Sequence, residues 1–305
     1  MNLVMANVLK TVGNTPLLQL TDANDQARIY AKMEYKNPLS SIKDRIAWPM
    51  IDEGIKTGQL APGGLIIEPT SGNTGLGLAM TCSVLNFRLI LTMPDSMSIE
   101  RRKLLTHLGA ELVLTPASEG MSGALAKAAS LLKENQNAYM PNQFSNPANP
   151  RAHKQTTGPE IWRQTAGQID IFVSAVGTGG TITGVGQYLK AQDPHIKIIA
   201  VEPYESAVLS GKASGPHIIQ GIGAGFIPEI LDVSLLNEVI PVKGEEALQT
   251  SQFLAKTKGL LCGISAGAAV FACQLLASRP ENHNKNIVTI LPDTGERYIS
   301  TALFN

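Results

Sequence analysis

Short runs rich in β-branched residues alternate with longer segments of helical periodicity along almost the whole chain. The expected strands are Ile29–Lys32, Leu65–Glu68, Arg88–Met93, Glu111–Leu114, Ile171–Ser174, Lys197–Val201 and Ile287–Leu291. Expected helices lie near 44–56, 74–86, 98–108, 121–134, 158–165, 181–191, 245–258 and 266–277. Runs such as LIIE and NIVTIL are nearly all apolar, which suits parallel strands covered by helices on both faces. Regular alternation of the two element types predicts an open α/β architecture.

A chain of 305 residues exceeds the usual size of one domain, so two domains sharing one site are expected. Between about 141 and 158 the alternation stops and Pro, Asn and Gly accumulate, which suits an interdomain crossing. A second irregular stretch, roughly 203–228, carries Gly221, Gly223 and Gly225 and is expected as a mobile loop near the site.

Lysine plus arginine and aspartate plus glutamate each total 25, so no excess charge is available to attract a polyanion or an anionic membrane. Nucleic acid and membrane are therefore not expected partners. Cys82, Cys262 and Cys273 form no C-x-x-C pair and read as reduced thiols of a cytoplasmic protein. The opening residues lack a basic stretch followed by an apolar core, so a secretory leader is not expected. The histidines, at 107, 153, 195, 217 and 283, never fall at H-x-x-x-H spacing, and no metal is expected.

Three turns at predicted helix starts carry candidate chemistry. Gly177-Thr178-Gly179-Gly180-Thr181 lies between the strand IFVSAV and a helix. Glycines there let backbone N–H groups converge on an anion, threonine hydroxyls add donors, and the helix dipole favours negative charge. The alternative is a tight strand-to-helix turn that needs glycine only for positive φ. Neither G-x-x-x-x-G-K-[ST] nor G-x-G-x-x-G occurs, so a phosphate bound here belongs to something smaller than a nucleotide. Thr70-Ser71-Gly72-Asn73-Thr74-Gly75 follows LIIE and Pro69, and its hydroxyls, amide and backbone donors suit a small carboxylate. Ser40-Ser41-Ile42-Lys43-Asp44-Arg45 begins a helix with a serine as cap and Lys43 in the first turn. An ammonium is disfavoured at that end, which leaves the neutral amine a Schiff-base nucleophile requires. A solvated surface lysine is the ordinary alternative.

In order along the chain, GNTPLLQL, NPLSSIKDR, EPTSGNTG, QFSNPANP, TTGPEIW, GTGGTITG, GIGAGFIP, GISAGAA and LPDTGERYISTALF resemble the motifs of the cysteine synthase (O-acetylserine sulfhydrylase) family. This family belongs to the tryptophan-synthase-β-like pyridoxal-phosphate enzymes, fold type II. GIGAGFIP and STALF look more like the A-type bacterial isozyme than the B type. The resemblance implies two open α/β domains with pyridoxal 5'-phosphate between them. A smaller mobile domain, about 36–150, would carry Lys43 and the 70–75 loop, and 1–35 with 151–305 would form the larger, phosphate-binding domain. Lys43 would hold the cofactor and remove the α-proton, and Gly177, Thr178, Gly179, Gly180 and Thr181 would bind its phosphate. Asn73 would meet the ring hydroxyl and Ser265 the pyridine nitrogen, while Thr70, Ser71, Gly72, Thr74 and Gln143 would grip the substrate carboxylate. The implied reaction converts O-acetyl-L-serine and sulfide to L-cysteine and acetate through an α-aminoacrylate. A homodimer and a complex with serine acetyltransferase are implied partners.

The sequence departs from the family pattern at Leu39 and Ser40, where relatives often have smaller residues or glycine. Dehydratases of the same fold tend to carry Asn-His where this chain has Asn73-Thr74. Cystathionine β-synthase has similar loops and remains the closer rival. A catalytically silent interaction protein is expected to have lost Lys43, Asn73 or Ser265, and all three are present.

Overall fold

In the computed structural model, which describes residues 4–21, 26–70 and 72–305, strands and helices alternate along most of the chain. The chain opens with β1 (Leu17–Gln19) and β2 (Arg28–Met33). Then come α1 (Asp44–Lys56), β3 (Leu65–Pro69), α2 (Asn73–Leu85), β4 (Arg88–Pro94), α3 (Ile99–His107), β5 (Glu111–Thr115), α4 (Gly120–Glu134) and β6 (Ala138–Tyr139). The remainder runs α5 (Ala148–Gln155), α6 (Thr157–Gln164), β7 (Ile171–Ala175), α7 (Gly180–Gln192), β8 (Lys197–Pro203), β9 (Glu238–Val242), α8 (Gly244–Lys258), α9 (Ile264–Ala277) and β10 (Asn286–Leu291).

Every strand expected from the sequence is present. The stretch 141–158, expected to be irregular throughout, instead contains α5 and the start of α6. Prolines at 147 and 150 hid α5 by interrupting its pattern, although a proline near a helix start costs no hydrogen bond. The chain divides into two units, the described part of Met1–Val12 with Asn37–Ala148, and Gly13–Lys36 with Asn149–Asn305. The leading segment through Val12 thus groups with the first unit, whereas the sequence reading put it with the second.

In the first unit the sheet order is β5-β4-β3-β6, and all its pairings are parallel. Ile67 and Ile90 of the central strands pack against Ala128 of α4. In the second unit the order is β1-β2-β10-β7-β8-β9, parallel except where β1 pairs with β2. Its core joins Ile171, Val173, Ile199, Val201 and Ile287 to Ala268, Val270 and Ala272 of α9. Helix α9 is apolar on nearly every face because it packs on the sheet and on α8 at once. Among the described residues, β4, β8 and β10 are buried over almost their full length, whereas the edge strands β1, β5 and β9 are half exposed.

Close helix crossings are made by glycine. A Cβ on Gly184 of α7 would lie 2.1 Å from the Pro150 carbonyl oxygen and 2.8 Å from the His153 Cβ, both on α5. On the same helix, a Cβ on Gly186 would meet nothing nearer than 3.5 Å. Gly184→Ala is expected to destabilise the protein by about 2 kcal/mol through forced separation of α5 and α7. Gly186→Ala is expected to be neutral or to stabilise by up to about 1 kcal/mol through helix propensity. Urea unfolding of both variants checks the contrast.

Candidate active site

Lys43 occupies the cap position of α1, one residue outside the helix and not within its first turn, with helical dihedrals of φ −70° and ψ −17°. The Ser41 hydroxyl accepts the Lys43 backbone N–H at 3.2 Å, which closes a turn just ahead of the helix; the cap position itself is Lys43 and makes no side-chain cap bond, so the expected serine cap is not formed. The turn before it is closed by the Ser40 N–H donating to the Asn37 carbonyl at 2.8 Å, which holds Ser40 at φ 54°. A side chain is disfavoured in that left-handed region, which gives a physical reason for glycine there. Helix α2 presses against this start: a Cβ on Gly77 would lie 3.0 Å from the Lys43 carbonyl oxygen. Sequence reasoning missed Gly77, because a glycine inside an apolar helix gives no sign of what it faces.

The 70–75 turn leaves the carboxyl end of β3, and the 140–143 segment leaves the carboxyl end of β6, the parallel neighbour. Ligands collect at that edge of an open sheet. Thr70 and Thr74 are buried, and the Thr70 hydroxyl accepts the Gly72 N–H at 3.3 Å. Ser71 lies outside the described residues. Asn73 and Thr74 begin α2, with Gly72 at the cap. The Thr74 hydroxyl donates to the Gln143 amide oxygen at 2.6 Å, which brings together two of the expected carboxylate-binding residues. That bond orients the Gln143 amide nitrogen as a donor.

Beneath them lies Glu68, which the sequence reading passed over as the last residue of an apolar strand. It is fully buried, and its two oxygens accept the backbone N–H groups of Asn142 at 2.8 Å and Gln143 at 3.2 Å. Burial pushes its carboxyl up to about 7, against the two backbone bonds that pull it down. The nearby Tyr139 phenol is also raised, first by burial and then by the charges of Glu53 and Glu68.

In the second unit, β7 ends at Ala175 and α7 begins at Gly180, with the Gly177–Thr181 turn between and across that start. Only Gly179 has positive φ, at 82°. Gly177 and Gly180 are required by close approach: a Cβ would sit 2.5 Å from the Gly221 carbonyl oxygen in one case and 1.9 Å from Asn149 Oδ1 in the other. A tight turn needing positive φ therefore explains one glycine of the three. The Thr178 hydroxyl accepts from Asn149 Nδ2 at 3.1 Å and from the Gly180 N–H at 3.4 Å, which leaves its own proton to donate. Thr181 Oγ1 lies 3.3 Å from His153 Nε2, and His153 Nδ1 lies 2.9 Å from Thr157 Oγ1. Asn149 and His153 thus brace the turn from α5, the helix the sequence reading did not see.

The 203–228 stretch runs alongside the same turn, where the Gly223 N–H donates to the Val176 carbonyl at 3.0 Å. Ser265 is buried at the second residue of α9, whose cap is Gly263. Its hydroxyl is thus two positions past the cap. The Gly263 N–H donates to the Asp293 carbonyl just beyond β10, so Ser265 stands at the same carboxyl edge as the glycine turn.

Two expectations follow. Ser40→Gly should stabilise the fold by about 0.5 kcal/mol, as relief of a left-handed side chain exceeds the added chain entropy; a lower urea midpoint refutes it. Glu68 titrates near 7 folded against 4.5 in its ordinary state. The folded state binds more protons at this group between those values, so the contribution of Glu68 to stability is full below pH 4.5 and is lost as pH rises toward 7, by about 3 kcal/mol. Unfolding curves across that window should flatten by about that amount in Glu68→Gln.

Each unit taken by itself carries groups of a kind a phosphorylated pyridoxal uses: in the second, the glycine turn offers hydroxyls and first-turn backbone N–H groups to an anion, and in the first, Lys43 offers a primary amine. A family model described as "Pyridoxal-phosphate dependent enzyme" matches residues 8–293. A Staphylococcus aureus cysteine synthase is 48% identical over 302 residues, covering 98% of this chain and 97% of the relative. The crystal structure of a cysteine synthase from Entamoeba histolytica matches with a TM-score of 0.96 at 47% identity, covering 99% of this chain and 91% of that one. An O-ureido-L-serine synthase matches with a TM-score of 0.94 at 39% identity, covering 99% and 95%. Similarity of this extent means that the chain belongs to the pyridoxal-phosphate-dependent enzymes and, among them, to the cysteine synthase family.

Proposed function

We propose that this protein makes L-cysteine by β-replacement, exchanging the acetate of O-acetyl-L-serine for sulfide in the cytoplasm. The observation that carries the reading is the near-full-length likeness to cysteine synthases in a chain whose Lys43 stands at the start of α1. When bound, pyridoxal phosphate supplies an aldehyde that joins an amine covalently and a ring that draws electrons from Cα.

The chain's own residues divide the remaining work. Gly177, Thr178, Gly179, Gly180 and Thr181 hold the phosphate, Asn73 meets the ring hydroxyl, and Ser265 faces the pyridine nitrogen. Thr70, Ser71, Gly72, Thr74 and Gln143 hold the substrate carboxylate. The N-terminal end of α1 disfavours an ammonium, so Lys43 Nζ is available as a base. It takes the Cα proton as the Cβ–O bond breaks and acetate leaves with the electron pair. Hydrosulfide then forms the Cβ–S bond, and Lys43 Nζ returns the proton to Cα, giving a ping-pong sequence.

A homodimer and a complex with serine acetyltransferase belong to the same reading. Light scattering tests the first, and pulldown by the acetyltransferase with and without its last residues tests the second. Among the described residues no helix is long and apolar enough to cross a membrane.

Purified protein is expected to be yellow, and borohydride reduction followed by peptide mapping should fix the cofactor on Lys43. Lys43→Ala should lower cysteine formation by about 10³-fold or more. Supplying homocysteine in place of sulfide should yield little product; efficient cystathionine formation, or full activity in Lys43→Ala, would sink the proposal.

A further inference from the structure

Asn142 is held at φ 49°, a left-handed conformation, directly before Gln143. Such a residue turns two successive backbone N–H groups toward one point, forming a concavity that takes an anion. Here the anion comes from inside the fold: the Glu68 oxygens receive both N–H groups, one each. The other side of the turn is fixed independently. The Asn142 carbonyl accepts from the N–H groups of Ser145 and Asn146, and Asn146 Nδ2 donates to the Pro141 carbonyl at 2.8 Å and to the Tyr139 hydroxyl at 3.1 Å. Glu68 therefore serves the one face of the turn that these bonds leave open, the face that leads into Gln143.

Glu68 also sits in β3, two residues before Thr70, so it joins both halves of the proposed carboxylate grip. A closed circuit results: β3 carries Glu68 and launches the 70–74 turn, Thr74 bonds Gln143, and Gln143 is tied back to Glu68. A buried carboxylate that lowers stability near neutral pH is a poor choice for a strand interior whose neighbours are Ile66 and Ile67. Isoleucine or valine would pack there at less cost but would leave two backbone donors without an acceptor.

We propose that Glu68 is a positioning residue for substrate carboxylate binding, acting through the left-handed turn at Asn142 to set where Gln143 presents its amide. The inference rests on the reading of Gln143 as a carboxylate ligand. Replacing Glu68 by glutamine keeps its size but turns one acceptor oxygen into a donor facing another donor. The effect should fall on the amino-acid substrate and spare the cofactor and sulfide.

The test compares wild type, Glu68→Gln, Gln143→Ala and Glu68→Gln/Asn142→Gly as cofactor-loaded enzymes. Two readouts are taken: KM for O-acetylserine against KM for sulfide, and the Kd of L-serine by calorimetry. Glu68→Gln should raise both the O-acetylserine KM and the L-serine Kd about tenfold. Cofactor absorbance and sulfide KM should change less than about twofold, which is within ordinary variation for a group not touched. Asn142→Gly should restore part of the loss, because glycine adopts the left-handed turn unaided.

If Gln143→Ala weakens L-serine and Glu68→Gln does not, the positioning role is overturned while the carboxylate reading stands. If Gln143→Ala leaves L-serine binding unchanged, the carboxylate reading falls and takes this inference with it. Parallel loss of cofactor, sulfide and amino-acid affinity in Glu68→Gln would mark a structural role only and overturns the proposal. Should Glu68→Gln not fold, Asn142→Val decides the matter, because Asn142 is exposed and a β-branched residue resists positive φ. That variant must raise the L-serine Kd, and an unchanged value overturns the inference.

Discussion

Parallel strands cannot be joined by tight hairpins, so each needs a long crossover, in most cases a covering helix, before the next strand can pair beside it; β8 and β9 are joined instead by the irregular stretch between them. Helices that follow parallel strands begin at the carboxyl edge of their sheet, and their first N–H groups have no partner within the helix. Almost every feature of the two units follows from that constraint. The first unit brings the starts of α2 and the 140–143 segment to one edge, and the second brings the glycine turn and the start of α9 to one edge. Donors gather there before any particular side chain is chosen, and the sequence then selects what they bind.

The sequence displayed the central strands because burial on both faces leaves a mostly apolar run, as in β3, β7 and β10. It concealed three edge strands. β1 and β6 are too short to show a pattern, and β9 carries Pro241, which lacks an N–H and is tolerated at an edge because one side of the strand has no neighbour that needs a donor. The glycine turns and Lys43 were legible because their chemistry is local and lies within a few residues. Glu68, Asn149, His153 and Gly77 were not legible, since each acts on a segment remote in the chain. Residue type alone does not disclose such a partner. The register of Lys43 was misplaced by one position, the usual error at a helix boundary, where capping and first-turn dihedrals coincide.

Three buried glutamates share a task in this fold. Glu68 accepts the N–H groups of Asn142 and Gln143, Glu202 accepts those of Leu209 and Ser210 together with the Ser210 hydroxyl, and Glu160 accepts that of Asn14. All three sets of donors belong to stretches that no strand ladder or helix pairs. An irregular segment held against the core must still satisfy its N–H groups, and a carboxylate does so for two donors at once. Glu160 is further matched by Lys32, whose buried ammonium lies 2.8 Å away. The desolvation cost of such groups is what an α/β enzyme accepts to hold functional loops in one shape, since loops without them would need a ligand to order them.

The same economy of charge bears on the thiols. A reaction in which sulfide attacks a substrate carbon is open to competition from any thiolate of the protein itself. Burial pushes Cys82, Cys262 and Cys273 up to about 12, with the charge of Asp293 adding to the effect at Cys262. At neutral pH such thiols are ionised to only about one part in 10⁵, and the thiolate is the nucleophilic form. All three lie within helices or strands of the core or beside them, out of reach of solvent. Their burial thus does more than fill space: on the proposed reaction it leaves the supplied sulfur nucleophile without an internal rival. It also shields the protein from the disulfides and oxidised forms that exposed, acidic thiols would accumulate in the presence of sulfur reagents.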